Sequence, residues 1–80
     1  MITKEQCRAG RGLIGLSQKA LSTLANIGAR TLLDFESGKR SPNAATIAQI
    51  QHTLESQGVQ FIPENGGGAG VRLAKRTVQV

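Results

Sequence analysis

Four stop signals govern what this chain can fold into. Gly15, Asn26, Gly38 and Gly58 each close an apolar-periodic stretch, and Gly or Asn is what a helix needs to leave through left-handed backbone. The stretches between them hold short helices. Thr3-Lys4-Glu5-Gln6 has the form of a capping box, so a first helix starts near Lys4 and ends near Gly15. Its apolar members Cys7, Ala9, Leu13 and Ile14 are only roughly spaced for one face. Gly10 and Gly12 each weaken it by about 1 kcal/mol relative to Ala, so it depends on tertiary packing. Ser17 caps a second helix, Gln18 to Ala25, with Leu21, Leu24 and Ala25 as its inward stripe. Asn26 ends it, Ile27 is an apolar turn residue, and Gly28 caps a third helix from Ala29 to about Ser37 with Leu32 and Phe35 buried. Ser41-Pro42 reads as a cap with proline in the first turn of a fourth helix. That helix sends Ile47, Ile50 and Leu54 inward, supported by Ala44 and Ala48, and stops at Gly58.

Beyond Gly58 the period shortens. Val59-Gln60-Phe61-Ile62 is β-prone and ends at Pro63. After the cluster Gly66 to Gly70, Val71-Arg72-Leu73 and Thr77-Val78-Gln79-Val80 alternate apolar and polar residues, with the glycines at the bend. The expected fold is mainly α, with four to five helices over residues 1–58 and a short C-terminal β-hairpin segment over 59–80. A lone hairpin is marginal in water, so it must lie on the helices or pair with a second chain.

At 80 residues and 8.4 kDa the chain has room for one small core. Its two Phe, with no Trp or Tyr, exclude a stacking platform for single-stranded nucleic acid. Cys7 and His52 are each alone, which excludes a disulfide framework and a His/Cys metal site. Cys7 reads as a small, half-buried helix residue, and His52 falls on the outer side of the fourth helix. No run spans a membrane and no basic-then-apolar leader opens the sequence, so the expected compartment is the cytoplasm. Paired carboxylates, a nucleophile with a base, and a phosphate loop of P-loop form are all missing, so neither an enzyme nor a cofactor is expected. The net charge of +5 points to a polyanionic partner. It is unevenly placed: residues 1–40 hold seven cations against three acids, residues 41–80 three against two.

Two short helices joined by a tight turn form a helix-turn-helix unit. The stretch from Leu16-Ser17-Gln18-Lys19-Ala20 through Asn26-Ile27-Gly28-Ala29-Arg30 to Glu36-Ser37-Gly38-Lys39-Arg40-Ser41-Pro42 resembles the lambda-repressor-like (Cro/repressor, or xenobiotic-response-element) DNA-binding domains. The resemblance rests on the Leu-x-Gln opening, the apolar turn residue, Glu-x-Gly-Lys/Arg after the recognition helix, and the later Ser-Pro. Counting the first and fourth helices, it covers about residues 3–58. Asn26 stands where that family prefers Gly, Gly28 where Ser or Thr usually caps, and Ser22 where Ala is usual. Asn tolerates left-handed angles, a Gly cap costs only a few tenths of a kcal/mol, and the Ser22 hydroxyl can bond back to its own helix.

A helix fits the major groove of duplex DNA and meets base edges with its exposed N-terminal residues. With Leu32 and Phe35 inward, Ala29, Arg30, Leu33 and Asp34 become the candidate base contacts. Arg30 suits a bidentate contact to guanine. Asp34 suits acceptance from cytosine N4, or an i, i+4 pair that orients Arg30. Ala29 offers a methyl to thymine. Ser17, Gln18, Lys19, Lys39, Arg40 and Asn43 are the candidate phosphate contacts, Gln18 through the role the resemblance implies for it. The resemblance also implies that Glu36 is structural, holding the helix end by hydrogen bonding.

The expected function is therefore a sequence-specific transcriptional regulator of double-stranded DNA, of the repressor type, acting as a homodimer on a palindromic operator. Val59, Phe61, Val71, Leu73 and Val78 are the expected dimer or partner contacts. The alternative is a protein-interaction module, resembling an antitoxin or anti-activator, that masks a partner protein through residues 59–80.

Overall fold

The computed structural model describes residues 1–74. The helices are α1 (Lys4–Ile14), α2 (Gln18–Ala25), α3 (Ala29–Ser37) and α4 (Ala44–Ser56), followed by strands β1 (Val59–Ile62) and β2 (Gly70–Leu73). The chain is thus mainly helical with a short C-terminal hairpin, as its punctuation predicts. Thr77–Val80, expected as a strand, lie outside the described residues, as does Val78.

Local chemistry sets most of the boundaries. The Thr3 hydroxyl accepts from Gln6 N at 3.0 Å while Gln6 Oε1 accepts from Thr3 N at 2.9 Å, completing the capping box. Ser17 Oγ accepts from Ala20 N at 3.0 Å. Asn26 leaves α2 at φ 57° and Gly38 leaves α3 at φ 81°. The start of α4 differs from expectation. Asn43, not Ser41, is its N-cap, its Oδ1 accepting from Thr46 N at 2.8 Å. Asn caps as well as Ser, and Pro42 therefore lies in the connection before the helix.

The core is built from Ile2, Cys7, Leu21, Leu32, Phe35, Ile47, Ile50, Leu54 and Val59. Several expected members face outward. Leu24 is exposed because the buried arc of α2 runs through Leu21, Ser22 and Ala25 and leaves Leu24 off its other side. Ala44, Ala48, Ala9 and Leu13 are also exposed. On α1 the buried face is Gln6, Cys7 and Gly10, and Cys7 is fully rather than half buried.

Gly10 marks where the hairpin lands on α1. A Cβ there would stand 3.3 Å from Val59 Cγ1 and 3.6 Å from the Phe61 ring, so the missing side chain permits close approach. Gln6 fastens the same contact, its Nε2 donating to Ile62 O at 3.1 Å and Gly70 O at 2.9 Å. The strands pair antiparallel, Val59 opposite Leu73 and Ile62 opposite Gly70. Val59 is consequently buried among its own helices, which removes it from the expected partner surface. Phe61 and Val71 are half-buried against the core, and Leu73 remains 56% exposed.

Candidate nucleic-acid interface

The turn between α2 and α3 consists of Asn26, Ile27 and Gly28. Ile27 N donates to Ser22 O at 3.0 Å, and Ile27 is half-buried against the core. Gly28 gives α3 no side-chain cap. Ser22 does bond back, its Oγ donating to Lys19 O at 2.8 Å.

On α3, Leu32, Phe35 and Glu36 are buried, whereas Ala29, Arg30, Thr31 and Leu33 are exposed. Arg30 Nε lies 3.4 Å from Asp34 Oδ1, with the arginine side chain 71% exposed and the aspartate side chain 13% exposed. The acid is therefore anchored near the helix surface while the guanidinium reaches into solvent. Both line an open groove of about 390 Å³ between α3 and the start of α4, together with Thr31, Arg40, Pro42, Asn43 and Thr46. Thr31 and Thr46 join a surface for which the sequence reading did not name them. Thr31 follows Arg30 on the exposed arc, a signal the i, i+4 reading passes over.

The segment after α3 folds back on Asp34, whose carbonyl accepts from Lys39 N at 3.0 Å and Arg40 N at 3.2 Å. The side chains of Lys39 and Arg40 are exposed, as is Lys19 on α2. Ser17 and Asn43 spend an oxygen acceptor on capping. That leaves the Ser17 O–H and the Asn43 amide N–H groups free to donate. Gln18 differs: its Nε2 donates inward to Glu36 Oε1 at 2.9 Å, so part of its donor capacity serves the scaffold.

Glu36 organises the platform beneath. Arg11 grips it with two bonds, Nε to Oε2 and Nη2 to Oε1, both 2.7 Å. Cys7 Sγ donates to Oε2 at 3.1 Å, and Arg8 donates to the Glu36 carbonyl. Burial by itself would push the Glu36 carboxyl up, but the bonds from Arg11, Gln18 and Cys7 hold it below the usual carboxylate range. Burial, together with the neighbouring carboxylate, pushes the Cys7 thiol well above the ordinary thiol range. Arg8 and Arg11 belong to the basic excess of residues 1–40, yet both bind Glu36. On and just after α3, Arg30, paired with Asp34, and Lys39 and Arg40 hold their side chains exposed.

Among the described residues no group of His, Cys, Asp or Glu is placed to hold a metal, and no helix is long and apolar enough to cross a membrane. A family model described as helix-turn-helix matches residues 8–57, a span from the second turn of α1 to the C-cap of α4. Among curated proteins no match is found.

Proposed function

The chain belongs to the helix-turn-helix family of the Cro/repressor type, whose members are DNA-binding regulators, and on that premise we propose that it reads a specific duplex sequence as a homodimer. The observation that carries this reading is the outer face of α3, where an exposed Arg30 is paired to Asp34 beside the exposed Lys39 and Arg40. With the first turn of α3 in the major groove, Arg30 presents two N–H groups to guanine O6 and N7. Asp34 limits the directions that guanidinium takes, and Ala29 and Leu33 offer apolar contact to thymine methyls. Ser17, Gln18, Lys19, Lys39, Arg40 and Asn43 donate to phosphates on either side, which sets register without reading sequence. The N-termini of α2 and α4 add backbone N–H groups to the same strands. One module makes few contacts, so two copies on half-sites about one turn apart, roughly 34–36 Å, supply the affinity.

Selection of bound duplexes from a random pool yields the operator, and gel-shift titrations at two salt concentrations then test the roles. Arg30→Ala is expected to cost about 1–3 kcal/mol and to relax preference at one base position. Lys39→Ala is expected to weaken all sequences alike and to make the salt dependence shallower. Unchanged binding by both variants refutes the placement of α3.

A further inference from the structure

The chain holds three asparagines, and the fold gives them unequal surroundings. Asn26 ends α2 in left-handed backbone, and the nitrogen that follows it, Ile27 N, donates to Ser22 O at 3.0 Å. Asn43 caps α4, its Oδ1 held by Thr46 N at 2.8 Å. Asn65 is followed by Gly66, and both are exposed in the connection between β1 and β2. Gly66 stands at φ 97°, and a Cβ built on it or on Gly67 would meet nothing within 4 Å. The Gly66 nitrogen therefore has no side chain beside it on its own residue, and the space around this turn is open to water. Glycine is also the residue that lets backbone be approached most closely.

Both ends of the connection are held. Gln6 Nε2 donates to Ile62 O at 3.1 Å and to Gly70 O at 2.9 Å. Within it, Glu64 Oε2 accepts from Gly68 N at 3.2 Å. Residue 65 can thus change chemically while the strands on either side stay seated on α1.

We propose that Asn65-Gly66 is a self-modification site, where the chain turns an amide into a carboxylate with water as the only co-reactant. Gly66 N gives its proton to a solvent base and attacks Asn65 Cγ. The Cγ–Nδ2 bond breaks, Nδ2 takes up a proton and leaves as ammonia, and a succinimide ring joins Cγ to Gly66 N. Attack within one chain needs no encounter between separate molecules, which is why so weak a nucleophile suffices. Water then opens the ring at either carbonyl. Opening at Cγ leaves aspartate at 65. Opening at the α-carbonyl leaves isoaspartate, whose main chain runs through Cβ and Cγ. One water enters, one ammonia departs, and no electron is transferred. Each conversion lowers the net charge of +5 by one and sets a second carboxylate beside Glu64. Isoaspartate also lengthens the backbone by a methylene. The open space around Gly66, Gly67 and Gly68 absorbs that length.

Incubating the full chain at neutral and at mildly alkaline pH, followed by peptide mapping with mass spectrometry, tests the site. The peptide containing 65 and 66 is expected to gain the mass difference between OH and NH₂, faster at the higher pH. Electron-transfer fragmentation is expected to resolve it into aspartate and isoaspartate forms, and in heavy-oxygen water each carries one heavy oxygen. Asn65→Gln, whose side chain is one carbon too long for the succinimide, is expected to leave position 65 unconverted. The converted chain is expected to keep the parent's melting temperature; a fall overturns the claim that the connection absorbs the change. Conversion at Asn26 or Asn43 ahead of Asn65 overturns the assignment, as does a product with aspartate alone, which marks direct hydrolysis. A folded-state rate about tenfold or more below the rate in urea also overturns it, because the fold would then withhold the geometry that the attack needs.

Discussion

Glu36→Gln breaks the charge pair between α1 and α3, to which Gln18 of α2 also hydrogen-bonds, and its cost follows from the geometry. The Glu36 side chain is 1% exposed, and its two oxygens receive four donors, two from Arg11 and one each from Gln18 and Cys7. Glutamine keeps the shape but turns an NH₂ group toward donors and leaves the Arg11 guanidinium without its counter-charge. Removing one member of a buried pair costs about 3–5 kcal/mol. The Arg11 side chain retains 19% exposure, so water recovers part of its charge and the lower end, about 3 kcal/mol, applies. A domain of this length holds about 4–12 kcal/mol in all, and each kcal/mol moves the melting temperature by about 4–8 °C. Urea unfolding followed by circular dichroism at pH 7 measures the loss, with the exposed Glu55→Gln as a control expected to change little. A loss below about 1 kcal/mol for Glu36→Gln refutes the claim that this network holds α3 in place.

The same residue sets an acid limit. Its carboxyl titrates below the ordinary range when folded, because hydrogen bonds from Arg11, Gln18 and Cys7 outweigh the effect of burial. At pH values between the folded and unfolded pKa the unfolded chain binds more protons, so stability falls as pH falls. The contribution is complete above about pH 4.3, the unfolded value, and disappears as pH drops through the lower folded one. Glu36→Gln is expected to remove that segment of the profile, giving a flatter stability curve below about pH 4.3.

Two glycines on α1 are expected to respond with opposite signs to alanine. Gly12→Ala meets nothing within 4 Å and gains about 0.5–1 kcal/mol of helix propensity. Gly10→Ala gains the same but drives a methyl against the buried Val59, a crowding cost of about 1–3 kcal/mol that makes the net change destabilising; urea midpoints measure both. Cys7, buried with its thiol pushed up in pKa, is expected to resist a disulfide reagent in the folded state and to react at the rate of unfolding, as a urea series checks. Gln6→Ala releases the Ile62 and Gly70 carbonyls and is expected to speed hydrogen exchange in β1 and β2 while α3 stays protected; equal loss of protection in both places refutes a local fastening role.

Helix ends were legible wherever their chemistry is local. Thr3 with Gln6, Ser17, Asn26 and Gly38 act within a few residues of where they stand, so the sequence marks α1, α2 and α3 almost to the residue. At α4 two caps compete two positions apart, and Asn43, whose Oδ1 accepts from Thr46 N, takes the place that Ser41-Pro42 marks in the sequence. Gly10 reads locally as a weak point, whereas its value is an approach from a strand some 50 residues later. The two hydrogen bonds that Arg11 donates to Glu36 span 25 residues. No spacing rule reveals it, so Arg11 reads as surface charge until the fold joins the two. The outward placement of Ala29, Arg30 and Leu33 was legible because Leu32 and Phe35 mark the inward face of a nine-residue helix.

The two acids of α3 show how the exposed face of a helix and the face that holds it stay separable in so small a domain. Asp34 and Glu36 are two residues apart, which is about 200° around a helix, so they face opposite ways. Glu36 points down into Arg11, Gln18 and Cys7 and fixes where the helix lies. Asp34 points toward the outer groove and touches Arg30. Substitutions at Ala29, Arg30 and Leu33 therefore change what the helix presents without touching Leu32, Phe35 or Glu36, which hold it. The division has a physical cause: an acid buried on the inner face needs a fixed partner, while an acid on the outer face needs only a neighbour one turn away. A chain with two aromatic residues and a small core thus holds α3 with a polar joint beneath it, and leaves the outer face free for the base contacts proposed for it.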